Sequence, residues 1–423
     1  MRRVLLLQLA RFGDLVQTKR LILSLAAQKN TEVHLGLDRS LEALGNLLYP
    51  FAVIHPLPAH YGGAKEAEVF ALVKKAFARL KSLDFDEVYI LNFSPLAFAC
   101  ASLFDAQQVR GYARRKGQDM VDKWPRLMRR MVQDRRFSAL NLADVWAFYH
   151  PSPIAPEKVN PIPRPAGSQR LGVVMSGRES RRSLPAKELA ACLQAIFRAR
   201  GGPELVCIGS KAETPLVHRL MRELPRPMIG KVRDLTGATA LTDLPDLLSG
   251  LDALITPDTG TMHLAAHLGV PVQAFFLSSA WAWETGPYGF GHTVWQALAP
   301  CSPCLESVPC PNELACLPAF SHPSFLAHLS GKASEAWPTG LLGCVGMLDD
   351  LGTTLLLVDG GDPYTDARKE LRSGLAAWLG KDDESHPAFM RHELADYLFQ
   401  ESDWMLPEAW QKTRRPVTKE IPC

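Results

Sequence analysis

The run Ala253-Leu254-Ile255-Thr256-Pro257-Asp258-Thr259-Gly260-Thr261-Met262-His263-Leu264-Ala265-Ala266-His267-Leu268-Gly269-Val270-Pro271-Val272 decides how the chain must fold. Its apolar head, Ala253 to Ile255, reads as a buried strand, His263 to Leu268 as a helix, and Val270 to Phe276 as the next strand. Strands joined through a helix run parallel. Gly260, in the turn before the helix, lets the backbone approach a ligand closely. Thr259 or Thr261 can cap the helix or donate to an oxygen. Backbone N–H groups and a positive dipole end collect there, which suits a diphosphate, although an ordinary capped helix start has the same form. Asp258 would repel a phosphate it pointed at, so it is read as orienting the loop or a ribose hydroxyl.

The same alternation extends outward. Leu171 to Met175 is a strand, Ala186 to Arg198 a helix, Glu204 to Ile208 a strand ending at Gly209, and Pro245 to Leu251 a short helix. The first half repeats the scheme. A strand at Val4 to Leu9 leads through Arg11-Phe12-Gly13-Asp14 into a helix carrying Leu15, Leu21, Ile22 and Leu25. Val33 to Leu37, Val53 to His55 and Glu87 to Leu91 are further strands, the last after an amphipathic helix near Phe70 to Leu80. Continuous apolar strands separated by helices imply parallel sheets covered on both faces. Pro151, Pro153, Pro156, Pro161, Pro163 and Pro165 form a stiff linker between the halves. The expectation is an α/β protein of two Rossmann-like, doubly wound domains facing a cleft, with ligands beyond the carboxyl ends of the strands. The first domain is 1–155, the linker 156–169, the second domain 170–320. A C-terminal extension, 321–423, is partly helical: Leu355 to Val358 is strand-like and Pro387 to Trp410 helix-like. Asp14 occupies the first-half counterpart of the Asp258 turn, where its plainest role is a helix N-cap.

A chain of 423 residues has room for two or three domains, and a net charge of +3 demands no nucleic-acid partner. The N-terminal apolar run is short for a signal peptide, and no run approaches the ~20 residues that span a bilayer. A cytoplasmic protein, at most peripheral on an inner membrane, is expected. Nine cysteines, an odd number, do not suggest a secreted disulfide framework. Cys301, Cys304, Cys310 and Cys316 are spaced C-x2-C-x5-C-x5-C, a pattern open to a structural zinc or iron and equally to an unmetallated loop. Arg110, Arg114, Arg115, Lys116, Lys123, Arg126, Arg129, Arg130, Arg135 and Arg136 are opposed only by Asp119, Asp122 and Asp134. Such a run is usually a solvated helix face, and it also suits phosphate groups or an anionic membrane.

The motifs together resemble glycosyltransferase family 9, the lipopolysaccharide heptosyltransferases. That family opens with a strand and a turn like Arg11-Phe12-Gly13-Asp14-Leu15, with a Thr like Thr18 after it. Its second domain carries a run similar to Asp258 through Val272, a turn like Thr285-Gly286-Pro287-Tyr288-Gly289, and a segment like Leu235-Thr236-Gly237. The resemblance implies a GT-B architecture and metal-independent inverting transfer, with no cofactor required for catalysis. It implies a nucleotide-diphosphate sugar, usually ADP-heptose, held by the second domain. The acceptor, lipopolysaccharide core or a surface glycoprotein, falls to the first. Asp14 matches the family's general base. Asp258, Thr259, Gly260 and His263 match donor contacts, and Glu213 matches a Glu associated with the nucleoside.

One departure stands out. The family places a phosphate-binding Lys three residues before a Pro, with a Trp nearby; here Arg182 precedes Pro185 and the Trp is absent. Arg holds a diphosphate bidentately, so the charge survives while the geometry changes. Arg178 and Arg181 are neighbours able to substitute. An acceptor-activating carboxylate in one domain and positive charge for a departing diphosphate in the other are what inverting transfer needs. No Gly-x-Gly-x-x-Gly follows either early strand, which weakens a nicotinamide reading. Two alternatives remain: a sugar-nucleotide isomerase of similar architecture, and an inactive relative that binds nucleotide sugar without turnover.

Overall fold

The computed structural model describes residues 1–60, 65–176, 180–305, 308–332 and 336–381. Arg178 and the helix expected over 387–410 lie outside the described residues.

Two sheets organise the chain. The first is ordered β3-β2-β1-β4-β5-β6, with β1 (Arg2–Gln8), β2 (Thr31–Asp38), β3 (Val53–Leu57), β4 (Glu87–Ile90), β5 (Val109–Arg115) and β6 (Gln118–Val121). Its first five strands are parallel, and β6 turns back antiparallel on β5. The run Val4 to Leu7 forms a central strand because both its faces are covered. Val4 and Leu6 enter one core cluster, Leu5 and Leu7 the other, all at most 1% exposed.

The second sheet is ordered β14-β13-β12-β11-β10-β7-β8-β9. Its parallel strands are β7 (Arg170–Val174), β8 (Glu204–Ile208), β9 (Val232–Asp234), β10 (Ala253–Thr256), β11 (Val272–Phe276) and β12 (Thr293–Ala297); β13 (Leu341–Asp349) and β14 (Gly352–Asp359) complete it antiparallel. In both sheets the order reverses beside the first strand, between β1 and β4 and between β7 and β10. That reversal opens a crevice at the carboxyl ends of the strands.

Two expectations change. The second sheet does not end at residue 320: β13 and β14 extend it to Asp359, and Leu355 to Val358 lies within β14. The chain then returns to the first domain. The helix Thr365–Trp378 buries Leu371 and Leu375 against Trp124, Leu127, Met128, Met131 and Phe148, and Trp378 stacks on Trp124 with ring centres 5.6 Å apart. β5 and β9 also escape a search for apolar runs. Both are edge-side strands rich in charge, their formation decided by pairing rather than by their own hydrophobicity.

A buried ion pair of the first domain is the point to which the second half is tied. Arg20, on the helix Lys19–Ala26, donates to Asp144 Oδ1 at 2.6 Å, and both side chains are fully buried. Tyr288 Oη donates to the same oxygen at 2.9 Å, and the Thr353 N–H donates to Oδ2 at 2.8 Å. Arg20 also donates to the carbonyls of Leu351 and Ile154. Burial raises the Asp144 carboxyl, against the lowering pull of Arg20 and Arg372. One carboxylate thus joins the first helices, the second domain and the β13–β14 turn.

Candidate active site

Asp14 stands in the loop-to-helix turn after β1. The helix Phe12–Gln17 begins at Arg11 as N-cap, so Asp14 is its third residue and not the cap itself. Its Oδ2 accepts the Arg11 N–H at 2.9 Å, as an acidic residue does in a capping box. Burial raises its carboxyl above the usual range. The Arg11 N–H and guanidinium pull it down, and Asp258 across the cleft pushes it up again.

The second-domain residues gather on the facing turn. Thr259 caps the helix Gly260–His267, its Oγ1 accepting the Met262 N–H at 3.2 Å and sharing a hydrogen bond with Thr256 Oγ1 at 3.1 Å. Asp258 forms an ion pair with Arg182 and accepts from Thr285 Oγ1 at 2.7 Å. Its Oδ1 lies 3.7 Å from His263 Nε2. Burial nevertheless drives His263 down to about 4, so its ring is neutral near pH 7, and its Nδ1 is buried without a hydrogen-bond partner.

These two turns touch. A Cβ on Gly13 would lie 3.2 Å from Gly260 Cα and 3.3 Å from His263 Cδ2, and a Cβ on Gly260 would run into the Phe12 ring. Both glycines are therefore required by the close approach of the two domains. The structure brings Asp14, Arg182, Asp258, Thr259, Gly260 and His263 to one place. Glu213 stands elsewhere on the same edge, at the end of β8. There it accepts the Ser210 N–H at 2.7 Å and the Ser210 hydroxyl at 3.0 Å, over Gly209, while its Oε1 is buried with no partner.

Three further residues that the sequence reading did not single out join the site. Phe12 covers Gly260. Thr285 fixes Asp258. Glu284 beside it accepts from Arg135 Nε of the first domain at 2.7 Å and from Ser138 Oγ at 2.7 Å. Thr285 and Phe12 were visible only as parts of longer motifs, and the Glu284 contacts required knowing where the basic stretch folds.

The cysteines form a loop bordering Arg181, whose Nη2 donates to the Leu305 carbonyl at 3.4 Å. Cys304 is raised by burial and by its neighbour Cys301, and Cys316 is raised by burial and by Cys301 and Cys310. Cys310 is instead lowered by the N–H groups of Leu314 and Asn312 and by Arg181. Among the described residues no set of three or more His, Cys, Asp or Glu side chains is placed to hold a metal ion. No helix among them is long and apolar enough to cross a membrane.

The chain is similar to known proteins in sequence and in fold. Residues 170–314 match the family model described as glycosyltransferase family 9 (heptosyltransferase). No curated protein matches the chain. Among solved structures, the glycosyl transferase family 9 protein from Veillonella parvula DSM 2008 is 16% identical with a TM-score of 0.56, over 70% of this chain and 88% of that one. The E. coli ADP-heptose lps heptosyltransferase II is 16% identical with a TM-score of 0.48, over 68% of this chain and 88% of that one. E. coli heptosyltransferase WaaC with ADP-2-deoxy-2-fluoro heptose is 14% identical with a TM-score of 0.46, over 70% and 93%. Residues 170–314 are thus similar to glycosyltransferase family 9, and the two doubly wound sheets have the GT-B fold of the Veillonella parvula protein.

Proposed function

We propose that the protein is an inverting glycosyltransferase that moves a heptose or similar sugar from a nucleotide-diphosphate donor, ADP-heptose first among them, to an envelope acceptor such as lipopolysaccharide core or a surface glycoprotein. The observation that carries this reading is the meeting of Asp14 from one domain with the Asp258–His263 turn and Arg182 from the other. The family match over the second domain supports it.

The chemistry divides accordingly. Asp14 takes the proton of an acceptor hydroxyl as its oxygen attacks the anomeric carbon. The bond from that carbon to the diphosphate oxygen breaks, and the electron pair leaves with the nucleoside diphosphate. Arg182 and the N–H groups at the start of the Gly260–His267 helix compensate that charge. Burial helps twice: it raises the basicity of Asp14 and strengthens each charge interaction with the leaving group. Glu213, with its unpartnered oxygen, is assigned to the nucleoside.

The test is mass spectrometry of products from ADP-heptose and other nucleotide sugars incubated with protein and envelope extract. A sugar-mass increment on an acceptor, dependent on Asp14, supports the reading. Rearranged sugar nucleotide formed without acceptor overturns it in favour of an isomerase.

A further inference from the structure

We propose that the face formed by Phe93, Arg114 and the exposed side of the helix Lys123–Met131 docks the protein on a bilayer bearing anionic phospholipid headgroups. The helix buries Trp124, Leu127, Met128 and Met131, leaving Lys123, Arg126 and Arg129 exposed along one side at helical spacing. Arg129 lies 4.8 Å over the Phe93 ring. Phe93 is itself 47% exposed, and it packs edge-on to Phe98 and Tyr112 at 4.9 and 5.7 Å. Arg114 lies 4.7 Å over Phe98.

The acids nearby offset Arg114 and leave the charge of the helix side, Lys123, Arg126 and Arg129, in place. Asp119 pairs with Arg114 at 2.6 Å, and Asp122 is engaged by the Gly111 N–H, which it accepts at 2.6 Å. Among the described residues no carboxylate pairs with Lys123, Arg126 or Arg129. A solvated helix face needs only charge. Here guanidinium groups frame an outward aromatic ring, the combination that lets cations meet phosphates while the ring enters the headgroup boundary.

Its place in the fold gives the docking a purpose. Phe93 lies just beyond β4, next to Asn92, whose Oδ1 accepts the Leu9 N–H at 2.5 Å and whose Nδ2 donates to Gln8 Oε1 at 2.7 Å. The face therefore adjoins the carboxyl end of β1, the edge that carries Asp14. A membrane-borne acceptor would be presented there. That clause rests on the proposed transfer reaction; the docking itself does not.

The full chain is sedimented with phosphatidylcholine vesicles, with and without about 30% phosphatidylglycerol. Binding is expected to the anionic vesicles alone and to fall with added salt. Arg126→Glu with Arg129→Glu should lower partitioning at least about tenfold, and Phe93→Ala should weaken it less. Circular dichroism and donor binding by calorimetry should stay as in the parent protein. If the double reversal unfolds, Arg126→Gln and Arg129→Gln, made singly, should each lower partitioning several-fold. Absence of binding to anionic vesicles at low salt overturns the proposal, as does undiminished binding by the folded variants. Vesicle binding without sugar transfer would count against the proposed enzyme and leave the docking intact.

Discussion

Arg182, beyond β7, and Asp258, beyond β10, are ion-paired across the crevice where the second sheet reverses its strand order. Asp258 is held in turn by Thr285, so the pair fixes a cation at the mouth of the cleft. A guanidinium has five N–H donors, enough to keep one carboxylate partner and still face a diphosphate. Arg182→Ala is expected to weaken donor binding by roughly 1.5–3 kcal/mol, the worth of a charged hydrogen bond. Calorimetry with the nucleoside diphosphate checks it, and unchanged affinity would assign the diphosphate to another group.

Asp14→Asn should leave the fold and donor affinity in place, because an amide oxygen can still accept the Arg11 N–H. Turnover should nonetheless fall at least ~100-fold, since the amide cannot take a proton. A rate within about threefold of the parent would reduce Asp14 to its capping role.

The pH dependence follows from the same carboxyl. Asp14 must be ionised to act, and burial raises its pKa from the model-compound value of 3.8. Activity should therefore decline as pH falls through that raised value, earlier than an exposed Asp would allow. A kcat/KM profile flat down to ordinary carboxylate pKa values would contradict the assignment.

Gly260→Ala should disturb domain closure rather than folding, because the added methyl meets the Phe12 ring of the other domain. Transfer should be strongly reduced, and Phe12→Ala in the same chain should restore part of it by making room. Additive losses in the double variant would show that the contact does not govern activity.

Asp144→Ala leaves Arg20 buried without its counter-charge. Removal of one partner of a buried pair typically costs about 3–5 kcal/mol. Denaturant unfolding should show a loss of that size, and a change under about 1 kcal/mol would mean that water or Tyr288 compensates. We also propose that Cys301, Cys304, Cys310 and Cys316 can hold a structural zinc or iron. Cys304 and Cys316 each feel neighbouring thiols of the group, yet the four would have to draw together to ligate an ion. Metal content below about 0.2 equivalents in protein purified without chelator would end it.

The sequence by itself determined the parallel strands and the turns that follow them. A strand buried on both faces must be apolar throughout, so Val4–Leu7, Leu171–Val174 and Ala253–Ile255 announce themselves, and Asp14, Arg182 and Asp258 fall at their carboxyl ends as a consequence of connectivity. Only the tertiary structure decided what those turns meet. Charged edge strands such as β5 form because a neighbour supplies their hydrogen bonds, which no local pattern records. The return of the helix Thr365–Trp378 to the first domain depends on a groove built from residues more than two hundred positions earlier, around Trp124 and Met131. The Arg182–Asp258 pair, the Phe12–Gly260 contact and the Arg20–Asp144 tie are likewise long-range. Side-chain partners that far apart are chosen by packing of whole sheets, and local propensity carries no information about them.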